Sequence, residues 1–266
     1  FLTFDVTQIH LYGLTVKQRA PQHSIRRYEF DDWLLKRSGA PFVQHVVRRI
    51  ERQRDRYVID DEFECRYLIG AGGTACPVFR HLFRDANPRN RWLQVVALEH
   101  ELPLAWEDPD CHLWFFERGL PGYSWYVPKQ DGYLNLGVGG IATRLKSKGQ
   151  HVHKHWEHLL SRLRRRGLIG GSLELQPQGY SYYMRDQVDI GRSGNAFVIG
   201  DSAGLATRDM AEGIGPAIRS GLRVANAIAN GSDYDPGSVS AYSLPSRVSR
   251  RALEYLLLRG NMKNRG

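Results

Sequence analysis

One segment near residue 200 constrains the fold more than any other part of this 266-residue chain. An apolar run, Ala196 to Ile199, ends in Gly200 and Asp201 and is followed by small residues. A helical pattern then begins at residues 212–216, where glycine and proline suit a first turn whose free N–H groups point at a ligand. An aspartate at the carboxyl end of a strand can accept hydroxyl hydrogen bonds from a sugar or ribityl chain. The pattern predicts a ligand-binding strand–loop–helix; a loop cap with packing glycines is the structural alternative.

A second glycine-rich turn, GAGGTA, starts at Gly70 after the apolar residues 67–69. Taken alone, it matches the G-x-G-x-x-A fingerprint, in which glycine lets the backbone approach a pyrophosphate. Glu99 lies near the spacing expected for the ribose-binding acid of such a site. Pro77 and Pro88 leave room for only a short helix, which argues against a free-standing nicotinamide site. A turn that needs glycine for positive φ is the third interpretation.

These segments resemble the flavoproteins that have the hydroxybenzoate-hydroxylase type of fold. GDSAGLATRDMAEGIGPAIRSG is similar to their second FAD-binding motif, and YLIGAGGTACPVFR to their internal GADGxxSxVR motif, with Gly72 at the Asp position and Cys76 at the Ser position. SIRRYEFDDWLL resembles their R-x-x-F-D helix start. The resemblance implies FAD as the cofactor and NAD(P)H as a candidate electron donor. It implies that the cofactor-binding residues are Arg27, Gly72, Gly200, Asp201, Gly213, Ile214 and Gly215.

In that family the residue matching Asp201 contacts the ribityl chain, and the helix start matching Gly213 and Ile214 lies against the N1/O2 edge of the flavin. The family also has an N-terminal βαβ unit that binds the ADP half of FAD. The corresponding residues would precede Phe1. The expectation is therefore an incomplete FAD-binding domain that lacks this unit.

The segment LPGYSWYVPKQDGYLNLGVGG predicts a β-hairpin, because Asp131-Gly132 separates two apolar runs. It is similar to the Y-x-W-x-F-P…N-V-G-x-G segment of the geranylgeranyl reductase family, in which this strand pair lines the cavity for an isoprenoid chain. The resemblance implies substrate contacts for Tyr123, Trp125 and Pro128. The segment also resembles the W-x-W-x-I-P motif of flavin-dependent halogenases. A purely structural aromatic hairpin is the other interpretation.

The resemblance implies an FAD-dependent oxidoreductase that transfers a hydride to an apolar, isoprenoid or lipid-like substrate. A flavin-dependent monooxygenase or halogenase is an alternative on the same scaffold. A non-catalytic lipid- or partner-binding module without flavin is the alternative from another class. The sequence marks no catalytic acid or base.

The expected fold class is α+β with α/β crossovers: an incomplete Rossmann-like FAD-binding domain interleaved with a substrate domain built on a large antiparallel sheet. We assign residues 24–88 and 186–235 to the former, 1–23 and 89–185 to the latter, and 236–266 to a C-terminal helical segment. Strands are predicted at 1–11, 42–50, 57–60 and 62–69, with a turn at 51–56 and a polar stretch at 17–24. Helices are predicted at 28–36, 151–165 and 212–230.

The chain carries 37 Lys and Arg against 28 Asp and Glu, a net charge of +9 that favours anionic partners. The basic clusters at 164–166 and 247–251 suit peripheral contact with an anionic membrane, whereas no aromatic-plus-basic motif indicates nucleic acid. Three cysteines without paired spacing fit a reducing, cytoplasmic setting. His151, His155 and His158 have metal-ligand spacing on a helix, but we interpret them as a solvated polar face and expect no metal.

Overall fold

The computed structural model describes residues 1–258. Its elements are β1 Leu2–Leu11, β2 Leu14–Ser24, α1 Arg27–Ser38, β3 Ile50–Gln53, β4 Arg56–Ile59, β5 Phe63–Cys65, β6 Leu68–Gly70, α2 Pro77–Leu82, β7 Gln94–Pro103, β8 Cys111–Phe115, β9 Gly122–Lys129, β10 Tyr133–Ile141, α3 Ala142–Ser147, α4 Val152–Arg165, β11 Gln178–Tyr183, β12 Arg192–Ser193, β13 Ala196–Val198, α5 Ile214–Asn230 and α6 Arg247–Leu258. This mixture of helices with a large sheet confirms the expected class.

The chain divides into two compact units, each made of two chain segments. The first unit comprises Phe1–Val43 and Val96–Tyr180, and the second comprises Gln44–Val95 and the chain from Ser181 onward. Helix α1 therefore belongs to the first unit, although the sequence places it with the FAD-binding residues. The reason lies just before the helix, where Arg26 stacks on the Tyr133 ring of the large sheet and pairs with Glu101.

A seven-stranded sheet with the order β11-β7-β10-β9-β8-β1-β2 dominates the first unit. Most neighbouring strands are antiparallel, and β1 pairs with β8 in parallel. The predicted hairpin joins β9 to β10, and its turn residues Asp131 and Gly132 have φ of 59° and 68°. Two consecutive positive φ values are the reason an Asp-Gly pair occupies this turn.

Helix α4 covers one face of this sheet. Its apolar stripe, which includes Trp156, Leu159 and Leu163, packs against the buried ring of Trp114 and the phenol of Tyr126 in one continuous core. Full burial of such side chains contributes roughly 1.5–3 kcal/mol each. The amphipathic pattern at 151–165 is thus explained by a helix that buries one stripe on the sheet.

Two histidines lie in the same packed layer and are hydrogen-bonded to each other. His10 Nε2 is 3.1 Å from His112 Nδ1, and His112 Nε2 is 3.0 Å from Asp108 Oδ2. Both imidazoles stack on Trp114. Burial, followed by the charges of His112 and two arginines, lowers the pKa of His10 to about 4, and burial also lowers the pKa of His112.

Acidification from pH 7 to pH 5 should destabilise the protein through His10. The unfolded histidine titrates near 6.5 and the folded one near 4, so the unfolded state binds the proton first. The contribution of His10 to the free energy of unfolding is fully present above about pH 6.5. It is lost as the pH falls towards 4, and the loss is at most about 3 kcal/mol. Thermal melts at both pH values should show a flatter dependence for His10→Gln and an unchanged dependence for the exposed His153→Gln. An equally steep loss in His10→Gln would contradict this origin.

Two three-stranded sheets build the second unit, with the orders β12-β13-β6 and β3-β4-β5. Strand β13 runs parallel to β6, and α2, only six residues long, packs beside them. The core includes Leu68, Phe79, Phe83 and Val198. Among the residues that the structure describes, no helix is long and apolar enough to span a bilayer.

Candidate functional site

The two glycine-rich segments lie side by side in the second unit. Val198 of β13 is paired with Gly70 of β6, and the Ile199 N–H donates to the Gly70 carbonyl over 3.1 Å. The carboxyl ends of parallel strands meet at one edge of a sheet, where open α/β sheets bind their ligands. Residues 70–76 and 200–216 therefore form one region, which we call the loop site.

Glycines in the loop site bring backbone close to the Asp201 carboxylate. A Cβ on Gly213 would lie 2.9 Å from Asp201 Oδ1 and would displace it. Gly200 has a φ of 53°, and its Cβ would lie 3.0 Å from the Ala217 side chain. Gly200 is therefore favoured by its backbone conformation, whereas a side chain at position 213 would push the Asp201 carboxylate away from the start of α5.

The second aspartate of the loop, Asp209, has a structural role. It is fully buried and accepts hydrogen bonds from the N–H groups of Met210, Ser243 and Leu244 at 2.8–3.1 Å. These bonds fix the loop to the segment that precedes α6. Both carboxylate oxygens of Asp209 thus accept backbone hydrogen bonds within the protein. A variant at Asp209 can therefore be compared with a variant at Asp201 in the same loop.

Glu212 caps the start of α5. Its Oε1 accepts from the Gly215 N–H over 2.7 Å, while its own N–H donates to Thr207 Oγ1 over 3.1 Å. A carboxylate at this end is favoured by the helix dipole. Gly215, predicted to bind the cofactor, therefore has its N–H paired with a side chain of this protein.

Arg89 connects the two halves of the loop site and was not found from the sequence. Its guanidinium donates to the Thr74 carbonyl over 2.6 Å and to the Ser202 carbonyl over 3.2 Å. It also lies 4.1 Å from the centroid of the Phe79 ring and 5.1 Å from that of Tyr183. The Arg89 side chain is thus hydrogen-bonded to both segments of the loop site, residues 70–76 and 200–216.

The electrostatic surroundings of Arg89 are mixed. Burial lowers the pKa of Arg89, and the neighbouring Tyr183, Cys76 and Asp201 oppose that shift. Because an arginine remains protonated in proteins, the site keeps a half-buried cation near the Asp201 carboxylate. The Ser202 hydroxyl is also fully buried and has no hydrogen-bond partner among the described residues.

The predicted cofactor residues fall into two groups. Gly72, Gly200, Asp201, Gly213, Ile214 and Gly215 all lie in the loop site of the second unit. Arg27 lies in α1 of the first unit, where its side chain is exposed and pairs with Asp31 over 3.0 Å. A role for Arg27 in cofactor binding stays a prediction.

The structure does not support the nicotinamide interpretation of the turn at Gly70. Strand β7, which follows the short helix α2, pairs within the seven-stranded sheet, whereas β6 pairs with β13. Glu99, the candidate ribose acid, accepts hydrogen bonds from Asn135 and Tyr180 in the first unit. The β6–α2–β7 segment is therefore not a βαβ unit of one sheet.

The predicted substrate hairpin shows the expected alternation of buried and partly exposed side chains. Tyr123 and Trp125 are partly exposed on one face of β9, while Ser124, Tyr126 and Pro128 are buried on the other. Pro128 is an odd number of residues from both aromatic residues, so strand geometry turns it to the packed face. Tyr123 and Trp125 therefore share the partly exposed face, and a substrate contact for Pro128 stays a prediction.

The Trp125 indole is held against the neighbouring strand. Its Nε1 donates to Asn135 Oδ1 over 2.6 Å, and the Asn135 amide donates to Glu99. The ring occupies the space over Gly137, where a Cβ would come 2.0 Å from Cζ2 of the indole. Gly137 and Asn135 lie in the stretch that matches the N-V-G-x-G of the family segment, but sequence reasoning gave them no role.

Gly137→Ala should displace the Trp125 ring and lower the free energy of unfolding by roughly 1–3 kcal/mol, the usual cost of overpacking. Gly139→Ala is the matched control, because its Cβ would meet its nearest neighbour at an ordinary 3.6 Å. Chemical denaturation followed by tryptophan fluorescence checks both variants. Equal stability of the two variants would contradict the close packing of the indole on Gly137.

The histidine-rich helix start differs from its sequence interpretation. His155 is buried beside the α4 core and contacts Gln150 over 3.2 Å, so it does not belong to a solvated face. His158 lies 3.3 Å from an Arg162 nitrogen, and burial together with neighbouring arginines lowers its pKa to about 4. Over residues 1–258, no cluster of three or more His, Cys, Asp or Glu has metal-binding geometry.

Sequence comparison identifies longer relatives. No protein-family model matches the chain. An uncharacterized protein of Methanosarcina barkeri is 32% identical over 245 residues, covering 88% of this chain and 59% of the relative. Protein CbrA of Escherichia coli K12 is 27% identical over 221 residues, covering 78% and 58%. The chain thus spans less than two thirds of the length of these curated relatives.

Solved structures match nearly the whole chain. A geranylgeranyl bacteriochlorophyll reductase-like protein from Thermoplasma acidophilum superposes with a TM-score of 0.64 at 16% identity, covering 96% of this chain and 66% of that protein. CmlS, a flavin-dependent halogenase, gives 0.66 at 17% identity, covering 96% and 51%. This chain has the fold of flavin-dependent enzymes. PqsL, a probable FAD-dependent monooxygenase from Pseudomonas aeruginosa, shares it with a TM-score of 0.58 at 13% identity, covering 99% and 82%.

Proposed function

We propose that this chain is part of an FAD-dependent oxidoreductase and that its loop site holds the flavin half of FAD. The observation that carries the proposal is the adjacency of the turn at Gly70 and the Gly200-Asp201 loop at one sheet edge. The residues present fit such a group. Asp201 can accept hydrogen bonds from ribityl hydroxyls, and Gly213 places no side chain over the Asp201 carboxylate. The buried Ser202 hydroxyl has no hydrogen-bond partner among the described residues and could bond to the cofactor.

The residues of the chain would bind and orient the cofactor. When bound, the flavin supplies two-electron redox chemistry, and the protein supplies position and electrostatics. The backbone of Gly213 and Ile214 at the start of the 17-residue α5 favours negative charge, moderated by the Glu212 carboxylate. Arg89 acts as a positioning residue because it fixes both loops through their carbonyls.

The proposed substrate is an apolar, isoprenoid or lipid-like molecule that accepts a hydride. The open face of β9 supports this class, since Tyr123 and Trp125 present aromatic surface there. Leu113 lies opposite Trp125 on β8 and extends the apolar surface. NAD(P)H as the electron donor belongs to the same proposal.

Oxygen chemistry is the second candidate, because the similar structures include a flavin-dependent halogenase and a probable FAD-dependent monooxygenase. Turnover of the reduced, full-length protein with an isoprenoid alkene distinguishes the two. The hydride proposal expects the flavin to be reoxidised by the alkene without oxygen. Reoxidation that requires oxygen and leaves the alkene unreduced would favour the monooxygenase or halogenase.

Trp125→Ala gives this experiment a site-specific readout. We expect nearly unchanged flavin content and altered turnover or substrate choice, because the indole lies partly exposed on the open face. A large decrease in melting temperature with unchanged activity per folded molecule would show that Trp125 has a purely structural role in the hairpin. A full-length protein that takes up no added FAD would favour the non-catalytic binding module.

A further inference from the structure

The first unit has an exposed apolar hairpin end. Tyr12 and Gly13 form the turn between β1 and β2, with φ of 50° and 85°. Tyr12 is 62% exposed, and Leu14 and Val16 are 72% and 60% exposed on an edge strand. Exposed apolar side chains gathered at the end of a hairpin mark an interaction surface.

A groove of about 350 Å³ lies directly beside this hairpin end. One wall is aromatic, with the rings of Tyr12 and Phe116 stacked 6.2 Å apart between centroids. The other wall is cationic and is formed by Arg118, His158, Arg162 and Arg165. Three of these four, at positions 158, 162 and 165, share one stripe of α4 because their spacing follows the helical repeat.

Positive charge in the groove exceeds negative charge. Glu117 is the only carboxylate among the described lining residues, and it pairs with Arg162. Arg118 and Arg165 remain exposed. Their field is evident at His158, where burial and the charges of Arg118, Arg162 and Arg165 keep the imidazole neutral at physiological pH.

We propose that the hairpin end and its groove form a docking surface for an anionic lipid bilayer, with Tyr12 and Leu14 entering the interfacial region while Arg118 and Arg165 contact headgroup phosphates. Amphipathic aromatic rings favour the interface between water and acyl chains. Arginines beside an inserted apolar segment add electrostatic attraction to anionic lipids.

Charge selects a bilayer over a second copy of the chain. A symmetric dimer through this surface would bring the arginines of one copy towards those of the other, which is repulsive. An anionic bilayer supplies both chemistries that the surface presents, namely phosphate for the cations and hydrocarbon for the hairpin. The surface includes no residue of the loop site, so the vesicle experiment tests this proposal independently of flavin binding.

Vesicle flotation of the full-length protein tests this surface. Vesicles of phosphatidylcholine alone are compared with vesicles that also contain phosphatidylglycerol, at low and high salt. We expect binding only to the anionic vesicles, weakened by salt. Arg118→Glu and Arg165→Glu should each weaken binding about fivefold or more, and Leu14→Ser should weaken it without changing the salt dependence.

Matched controls are available in the second unit. Arg84→Glu changes an exposed arginine and Val46→Ser an apolar residue that is 75% exposed, and both should leave vesicle binding unchanged. Equal binding of the surface variants and the wild type would overturn the proposal. Binding of inorganic phosphate without vesicle binding would also overturn it in favour of a soluble anion. Variants that convert a dimer to a monomer, with no vesicle binding by either form, would show a protein–protein contact instead.

Discussion

Arg89→Ala should lower the free energy of unfolding by about 3 kcal/mol and also weaken flavin binding. The change removes hydrogen bonds from a charged donor to the carbonyls of Thr74 and Ser202, each typically contributing about 1.5–3 kcal/mol. It also removes the contacts of the cation with two aromatic rings, at about 0.5–2 kcal/mol each. Because these contributions are not additive, the total is well below their sum.

Two further variants separate the fork geometry of Arg89 from its charge. Arg89→Lys keeps the cation but cannot reach both carbonyls in the same plane, so an intermediate loss is expected. Arg91→Ala changes a nearby exposed arginine and should have little effect. Denaturant unfolding and FAD titration of the same preparations check the prediction. Loss of stability with unchanged flavin affinity would show that Arg89 supports the fold without shaping the loop site.

Local sequence patterns predicted the cofactor segment closely. A strand at 196–199 and a helix at 212–230 were expected, and the structure has them at Ala196–Val198 and Ile214–Asn230. Both patterns are strong because a fully buried strand is continuously apolar and an amphipathic helix repeats its apolar residues. The glycine at 231 ends the helix with a φ of 64°, as expected for a C-terminal cap.

The sheet edges were harder to predict. Residues 17–24 were read as a polar stretch, yet they belong to β2, an edge strand that is exposed along most of its length. Ser24 is the one buried residue of β2, so packing imposes no alternation on this strand, and its edge position tolerates Pro21. The sequence therefore carries little strand signal. The strand predicted at 42–50 was wrong: β3 lies at Ile50–Gln53, in the region that was read as a turn.

Long-range contacts in the loop site could not be derived from spacing. Arg89 bonds to main-chain carbonyls, which any residue supplies, so no residue type at positions 74 or 202 reveals the partnership. The position of Pro128, in contrast, follows from local geometry, because strand alternation places it on the packed face with Ser124. A substrate contact for Pro128 stays a prediction.

Asp201→Ala should weaken FAD binding by roughly 1–3 kcal/mol, or about 5- to 150-fold in dissociation constant, through loss of an acceptor for ribityl hydroxyls. Asp201→Asn retains one acceptor oxygen and should lose less. Asp209→Ala is the contrasting variant in the same loop. It leaves three N–H groups without their carboxylate and should mainly reduce stability.

FAD titration into the full-length protein, comparing wild type with Asp201→Ala, tests the central claim that the loop site holds the flavin. Thermal melting of the same samples shows that both are folded. The account predicts FAD binding by the wild type and clearly weaker binding by the folded variant. Equal affinity of the two folded proteins for FAD would contradict the assignment of this loop.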